Sequence, residues 1–85
     1  MDYPMLDAGL VGSVIAGYRR RAGLSQEVLS GFAGIGRSHL SAIECGERKP
    51  TLETFYRLCT AMNLRMSDVA AAIEREMDAR NGREA

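Results

Sequence analysis

Between residues 23 and 46 the chain sets short apolar stripes against small and polar residues, and the spacing predicts two brief helices joined by a tight turn. In the first, from Gln26, Leu29 and Ala33 fall four apart on one face, and Ser30 is small enough to let another helix cross closely. Ser25 offers an oxygen to an unpaired first-turn N–H, with Gln26 and Glu27 adding polarity at the positive helix end. Gly34 marks the turn, since glycine enters left-handed backbone space without steric cost, and Ile35 is placed to plug the corner. In the second, Arg37 to Glu44, Leu40 and Ile43 point inward. Arg37, Ser38, Ser41 and Ala42 fall on the opposite face, free to meet a partner, and Gly46 ends the helix.

The same period extends in both directions. From about Leu10, the residues Val11, Val14, Ile15, Tyr18 and Ala22 recur at intervals of three and four, a helix stopped by Gly23. Pro50-Thr51 announces a fourth helix with Thr51 as its cap, and Leu52, Phe55, Leu58, Cys59 and Met62 supply its core stripe. Asn63 takes the left-handed position that closes it, and Leu64 and Met66 fold back on the core. Ser67-Asp68 then opens a fifth helix over 67–80, with Val69, Ala70, Ile73 and Met77 along one side. Pro4, Gly9 and Gly12 weaken helix formation near the start, so 1–9 reads as an N-terminal arm, 10–80 as one all-α domain and 81–85 as a fraying tail.

Composition narrows the function more than the fold. Eighty-five residues suffice for one modest helical core without disulfide or metal support. Cys45 and Cys59 form no CxxC pair, and with His39 the lone histidine they make no zinc set, so no metal and no cofactor are expected. Scattered carboxylates and a single histidine show no nucleophile beside a positioned base, which argues against an enzyme. No stretch is apolar enough to span a membrane and the start lacks a basic secretory region, so a cytoplasmic protein is expected. Eleven basic and eleven acidic residues cancel, which argues against strong nonspecific attraction to nucleic acid and leaves a local basic face open.

The segment LSQEVLSGFAGIGRSHLSAIECGERKPTLETFYRLCTAMNL resembles the Cro/repressor-type (Xre) helix-turn-helix family of bacterial and phage regulators. The likeness rests on Leu24-Ser25-Gln26-Glu27, Leu29, Ala33-Gly34-Ile35, the RSxLSxIE run Arg37–Glu44, Gly46 and Pro50-Thr51-Leu52-Glu53-Thr54, and covers about Val11–Val69. It implies a compact five-helix lambda-repressor-like domain. It also implies a sequence-specific DNA-binding transcriptional regulator, a repressor or autoregulator, working as a homodimer on an inverted repeat of double-stranded DNA. Within the family, an arginine at the place of Arg19 commonly pairs with the glutamate closing the recognition helix, here Glu44. Gln26 matches a position that contacts the phosphate backbone, and His39 one that is often aromatic or polar, where phosphate contact is expected ahead of catalysis and a partly exposed histidine without a contact is the alternative. Among the outward residues Arg37 is the leading base reader, because a guanidinium can bind guanine O6 and N7 together; Ser38 and Ser41 reach base edges or water, and Ala42 offers a methyl to thymine. Arg48, Lys49 and Thr51 would clamp phosphates. Arg20 and Arg21 complement the negative end of the first helix.

Three positions depart from the family pattern. Gly36 replaces the usual Ser or Thr cap of the recognition helix, Ala42 replaces a long polar residue, and Val28 and Phe32 make an apolar stripe on the second helix. Tyr3, Met5 or Leu6 of the arm, or a partner protein, would cover that stripe. The fifth helix is the expected dimer interface, through Ile73 and Met77, with completion of the monomer core as the competing role. Two other readings remain: a helix-turn-helix module used for protein contacts, favoured by zero net charge and the Val28/Phe32 stripe, and, within DNA binding, an antitoxin, a restriction–modification controller or a small phage-type repressor.

Overall fold

The structure, a computed structural model, describes residues 3–82. Its five helices are α1 (Ala8–Arg21), α2 (Gln26–Ala33), α3 (Arg37–Glu44), α4 (Leu52–Ala61) and α5 (Met66–Arg80), and no strand occurs among the described residues. Asp7 opens α1 by accepting a hydrogen bond from the Leu10 N–H at 3.0 Å, so the helix begins two residues earlier than Leu10 and the arm is correspondingly shorter. Asp7 also pairs with Arg80, joining the start of α1 to the last turn of α5. Helix α5 begins at Met66, its entry made by the Arg65 carbonyl, which accepts from the Asp68 N–H at 3.1 Å, rather than by a side-chain cap. Asn81 and Gly82 form the closing turn; the remainder of the expected tail, 83–85, lies outside the described residues.

Side chains from all five helices meet in one core. Ile15, Leu29, Leu40, Ile43, Leu58, Cys59 and Val69 are almost wholly removed from water. These are the positions that the three-and-four periodicity placed inward, and burial of each large aliphatic side chain stabilises by about 2 kcal/mol. Burial pushes the Cys59 thiol up to about 11, which keeps it protonated and inert at neutral pH. Three inward assignments need correction. Ala22, the residue that caps the end of α1, is exposed. Leu52, the first residue of α4, is 73% exposed, standing past the edge of the core, whereas Thr54 in the same turn is buried. Ala70 is exposed as well.

Backbone contact between α1 and the end of α3 sets how the core closes. A Cβ built on Gly12 would stand 2.8 Å from the Glu44 carbonyl oxygen and closer still to that of Ile43. One built on Gly46, whose φ is 79°, would stand 2.7 Å from the Gly9 Cα. By helix propensity alone the glycines at 9 and 12 weaken an early helical turn. They are instead where one helix backbone seats against another, a use of glycine that outweighs its cost in helix propensity.

Candidate nucleic-acid interface

The turn between α2 and α3 is built as its sequence requires. Ser25 accepts from the Val28 N–H at 3.1 Å, and Gly34 adopts φ 71°, ψ 32° after the last turn of α2. The Ile35 N–H then donates to the Ser30 carbonyl at 3.0 Å, closing the corner with Ile35 packed against the core. Gly36 gives α3 no side-chain cap. At the far end the Gly46 N–H donates to the Ile43 carbonyl at 3.1 Å and the Glu47 N–H to the Ala42 carbonyl at 2.9 Å.

What fixes α3 against its neighbours is Glu44. Arg19 Nε donates to Glu44 Oε2 at 2.7 Å and Arg19 Nη2 to Oε1 at 2.9 Å, while Nη1 donates to the Leu24 carbonyl at 2.9 Å. Gln26 Nε2 adds a third bond to Glu44 Oε1 at 2.8 Å. Helices α1, α2 and α3 therefore meet at a single carboxylate. Burial pushes the Glu44 carboxyl up, but hydrogen bonds from Arg19 and Gln26 and the charges of Arg19 and Arg20 outweigh it and hold the group below its ordinary value. The same hydrogen bond raises Arg19 against the effect of burial, so the pair stays charged.

This arrangement places the expected contact residues unequally. Arg37 and Ser38 are exposed on the first turn of α3, Ser41 and Ala42 are half-buried on the same helix, and His39 is half-buried beside them. Arg48 and Lys49 stand exposed in the loop before α4, and among the described residues neither they nor Arg37 pair with a carboxylate. Gln26 is more occupied than its sequence position implies. An ionised carboxylate only accepts, so the Gln26 amide must turn its N–H side to Glu44, leaving one N–H free to donate to another acceptor. Thr51 accepts from the Thr54 N–H at 3.1 Å and donates to the Thr54 hydroxyl at 3.1 Å, so its hydroxyl serves the α4 cap.

The arm does not cover the stripe on α2. Phe32 remains 68% exposed, whereas Leu6 borders a groove formed with Val11, Leu52, Phe55 and Ala70. Ile73, expected at a dimer interface, is only 7% exposed and belongs to the monomer core, with Met77 packed half-buried against it. Two parts of the site were not anticipated: the Leu24 carbonyl that steadies Arg19, for which a side-chain pattern carries no signal, and the Gly12 seat, whose signal was a glycine inside a helical stripe.

A family profile described as helix-turn-helix matches residues 15–69, the span that contains the capped turn, the Glu44 clamp and α3. The chain belongs to the helix-turn-helix family of DNA-binding transcriptional regulators. Over 55 residues this helix-turn-helix protein is 42% identical to y4dJ, an uncharacterized HTH-type transcriptional regulator of Sinorhizobium fredii, covering 65% of this chain and 71% of the relative. The crystal structure of the restriction–modification controller protein C.AhdI from Aeromonas hydrophila superposes with a TM-score of 0.72 at 29% identity, over 76% of this chain and 98% of that one. The clp gene regulator ClgR of Corynebacterium glutamicum superposes at 0.84 with 20% identity, over 95% and 85% of the two chains, and so shares the fold.

Proposed function

We propose that this DNA-binding regulator reads an inverted-repeat operator as a twofold dimer and represses or autoregulates the adjoining genes. The observation that carries the reading is the exposed Arg37–Ser38 end of a helix whose other end is locked by Arg19, Glu44 and Gln26. A rigid seat holds the outward side chains in one geometry while α3 lies in the major groove, where every base pair presents a distinct pattern of donors and acceptors. Arg37 reads guanine. Ser38 and Ser41 bond base edges or water, Ala42 contacts a thymine methyl, and Arg48, His39 and the free N–H of Gln26 hold phosphates, Lys49 serving instead the groove described below. Small side chains on α3 shift part of the recognition to water and DNA shape. Chromosomal DNA places the protein in the cytoplasm.

One eight-residue recognition helix touches too few base pairs for high affinity, hence the dimer, with its two α3 helices about 34 Å apart. Burial of Ile73 moves the expected contact to the neighbouring groove of about 440 Å3, lined by Leu6, Leu52, Phe55 and Ala70. Lys49 and Glu74 stand at its edges. An isologous contact sets the same patch against itself, so each copy would offer its cation to the other's anion across an apolar centre. Among small regulators, the 29% identity to the restriction–modification controller protein C.AhdI favours a controller of that kind.

Selection of bound sequences from a random duplex pool, at two salt concentrations and with Arg37→Ala in parallel, tests the reading. Enrichment of an inverted repeat, relaxed at a guanine in the variant, is expected. Absence of enrichment together with absence of salt-dependent binding would overturn it and favour a protein-contact module.

A further inference from the structure

A second groove, of about 700 Å3, runs between α1 and α5 and takes no part in the reading above. Its size is that of a ligand or peptide site. Leu10, Val14 and the small residues Ser13, Gly17 and Ala72 line it, and the Arg21 guanidinium reaches over Gly17, its Nη2 3.7 Å from where a Cβ there would stand. Arginine dominates its rim: Arg21 from α1 and Arg75 and Arg80 from α5, against the single carboxylate of Glu76. Arg80 is already engaged by Asp7. Arg21 lies over the Tyr18 ring, 4.5 Å from its centroid, and among the described residues neither Arg21 nor Arg75 has a carboxylate partner. In a chain of zero net charge this is a local surplus of cation, with one guanidinium already steadied on an aromatic face.

We propose that this groove docks an acidic segment of a partner protein, whose carboxylates are taken by Arg21 and Arg75. Guanidinium groups bind carboxylates through two parallel hydrogen bonds. Charge and placement favour this occupant over the two others available. A second copy of the chain, related by a twofold axis, would set the arginine rim against itself with only Glu76 in answer, unlike the Lys49/Glu74 groove. Duplex DNA seated on α3 lies elsewhere: Ser13 and Gly17 project roughly 130° around α1 from Gly12 and Arg19, which meet α3, at about 100° per residue. A regulator bound to its operator thus keeps this groove open, and the docked protein would be brought to the DNA or would report its occupancy.

Fluorescence anisotropy on the whole protein tests this, with a labelled alanine-rich helical peptide carrying glutamates on one face and its glutamine counterpart. The glutamate peptide is expected to bind, the glutamine peptide about tenfold more weakly, and amide shifts are expected at Ser13 and Gly17. Arg21→Ala with Arg75→Ala is expected to weaken binding about tenfold while leaving the fold intact by circular dichroism, since both side chains are exposed; Arg65→Ala, outside the groove, leaves it unchanged. Saturating operator duplex is expected to have no effect. Equal binding of both peptides, retention in the double variant, or absence of binding would overturn the proposal. Displacement by duplex would do the same and assign the arginines to phosphates, and a change in sedimentation of the double variant would assign them to self-association. The duplex selection described above reads DNA recognition separately, so either conclusion stands or falls alone.

Discussion

Arg19 and Glu44, 25 residues apart in the chain, meet edge to edge, with both carboxylate oxygens taken by one guanidinium and side-chain exposures of 11% and 5%. Removing one member leaves the other charge nearly dry and unpaired. Arg19→Ala is therefore expected to cost about 3 kcal/mol in urea denaturation, and Arg19→Lys most of that, because an ammonium cannot reproduce the paired bonds. A loss below about 1 kcal/mol would show the pair to be no stronger than one on the surface.

Acid should weaken the fold through the same carboxylate. Glu44 has a folded value held below the usual 4.5, so its contribution is present above that value and disappears as pH falls through the lower one. Asp7 acts in the same direction from 3.8, first through the Leu10 N–H and then, against desolvation, through Arg80. Thermal unfolding midpoints should fall between about pH 5 and pH 3, and less steeply in Glu44→Gln. An identical slope in that variant would remove Glu44 from the account.

Two glycine-to-alanine changes should have opposite signs. At Gly12 the methyl group meets carbonyl oxygens that cannot move without shifting α3, and a loss of more than about 2 kcal/mol is expected. At Gly31, inside α2 with nothing within 4 Å of the added carbon, alanine should stabilise by about 0.5–1 kcal/mol. Calorimetry on the two variants decides both.

Leu52→Glu should make the protein monomeric by analytical ultracentrifugation while preserving its circular dichroism spectrum, because this side chain contributes nothing to the monomer core. Affinity for a two-site operator should fall by more than about tenfold, since the half-sites would be bound independently. Lys49→Glu alone should weaken association and Glu74→Lys should restore it. Unchanged association in Leu52→Glu would move the interface elsewhere.

Most of the fold was legible because helices with one buried face leave a periodic trace: Leu29, Leu40, Ile43, Leu58 and Val69 are buried where the spacing put them. The errors share a cause. Periodicity assigns a residue to a face and says nothing of what the face meets. Leu52 has the right phase and the wrong height, standing above the core at the first turn of α4. Ile73 has the phase expected of an interface and lies inside the monomer. Gly12 advertises low helix propensity, while its use depends on Ile43 and Glu44, more than thirty residues away in the chain. At the site, Arg37 and Ser38 could be placed on the outer face from spacing alone, but the pull of Glu44 on the Gln26 amide depends on three helices assembling.

The glycine seat beneath α3 bears on how such a protein changes over evolutionary time. Where side chains pack, one substitution can be offset by another of complementary volume. At Gly12 and Gly46 the contacting atoms are main chain, and no smaller residue exists to absorb an error. The footing of the recognition helix is thus frozen, whereas its solvent-facing positions carry none of that constraint. On the operator reading proposed above, replacing Arg37, Ser38 or Ser41 would change the target while the mounting stays the same, so target preference and architecture become separable.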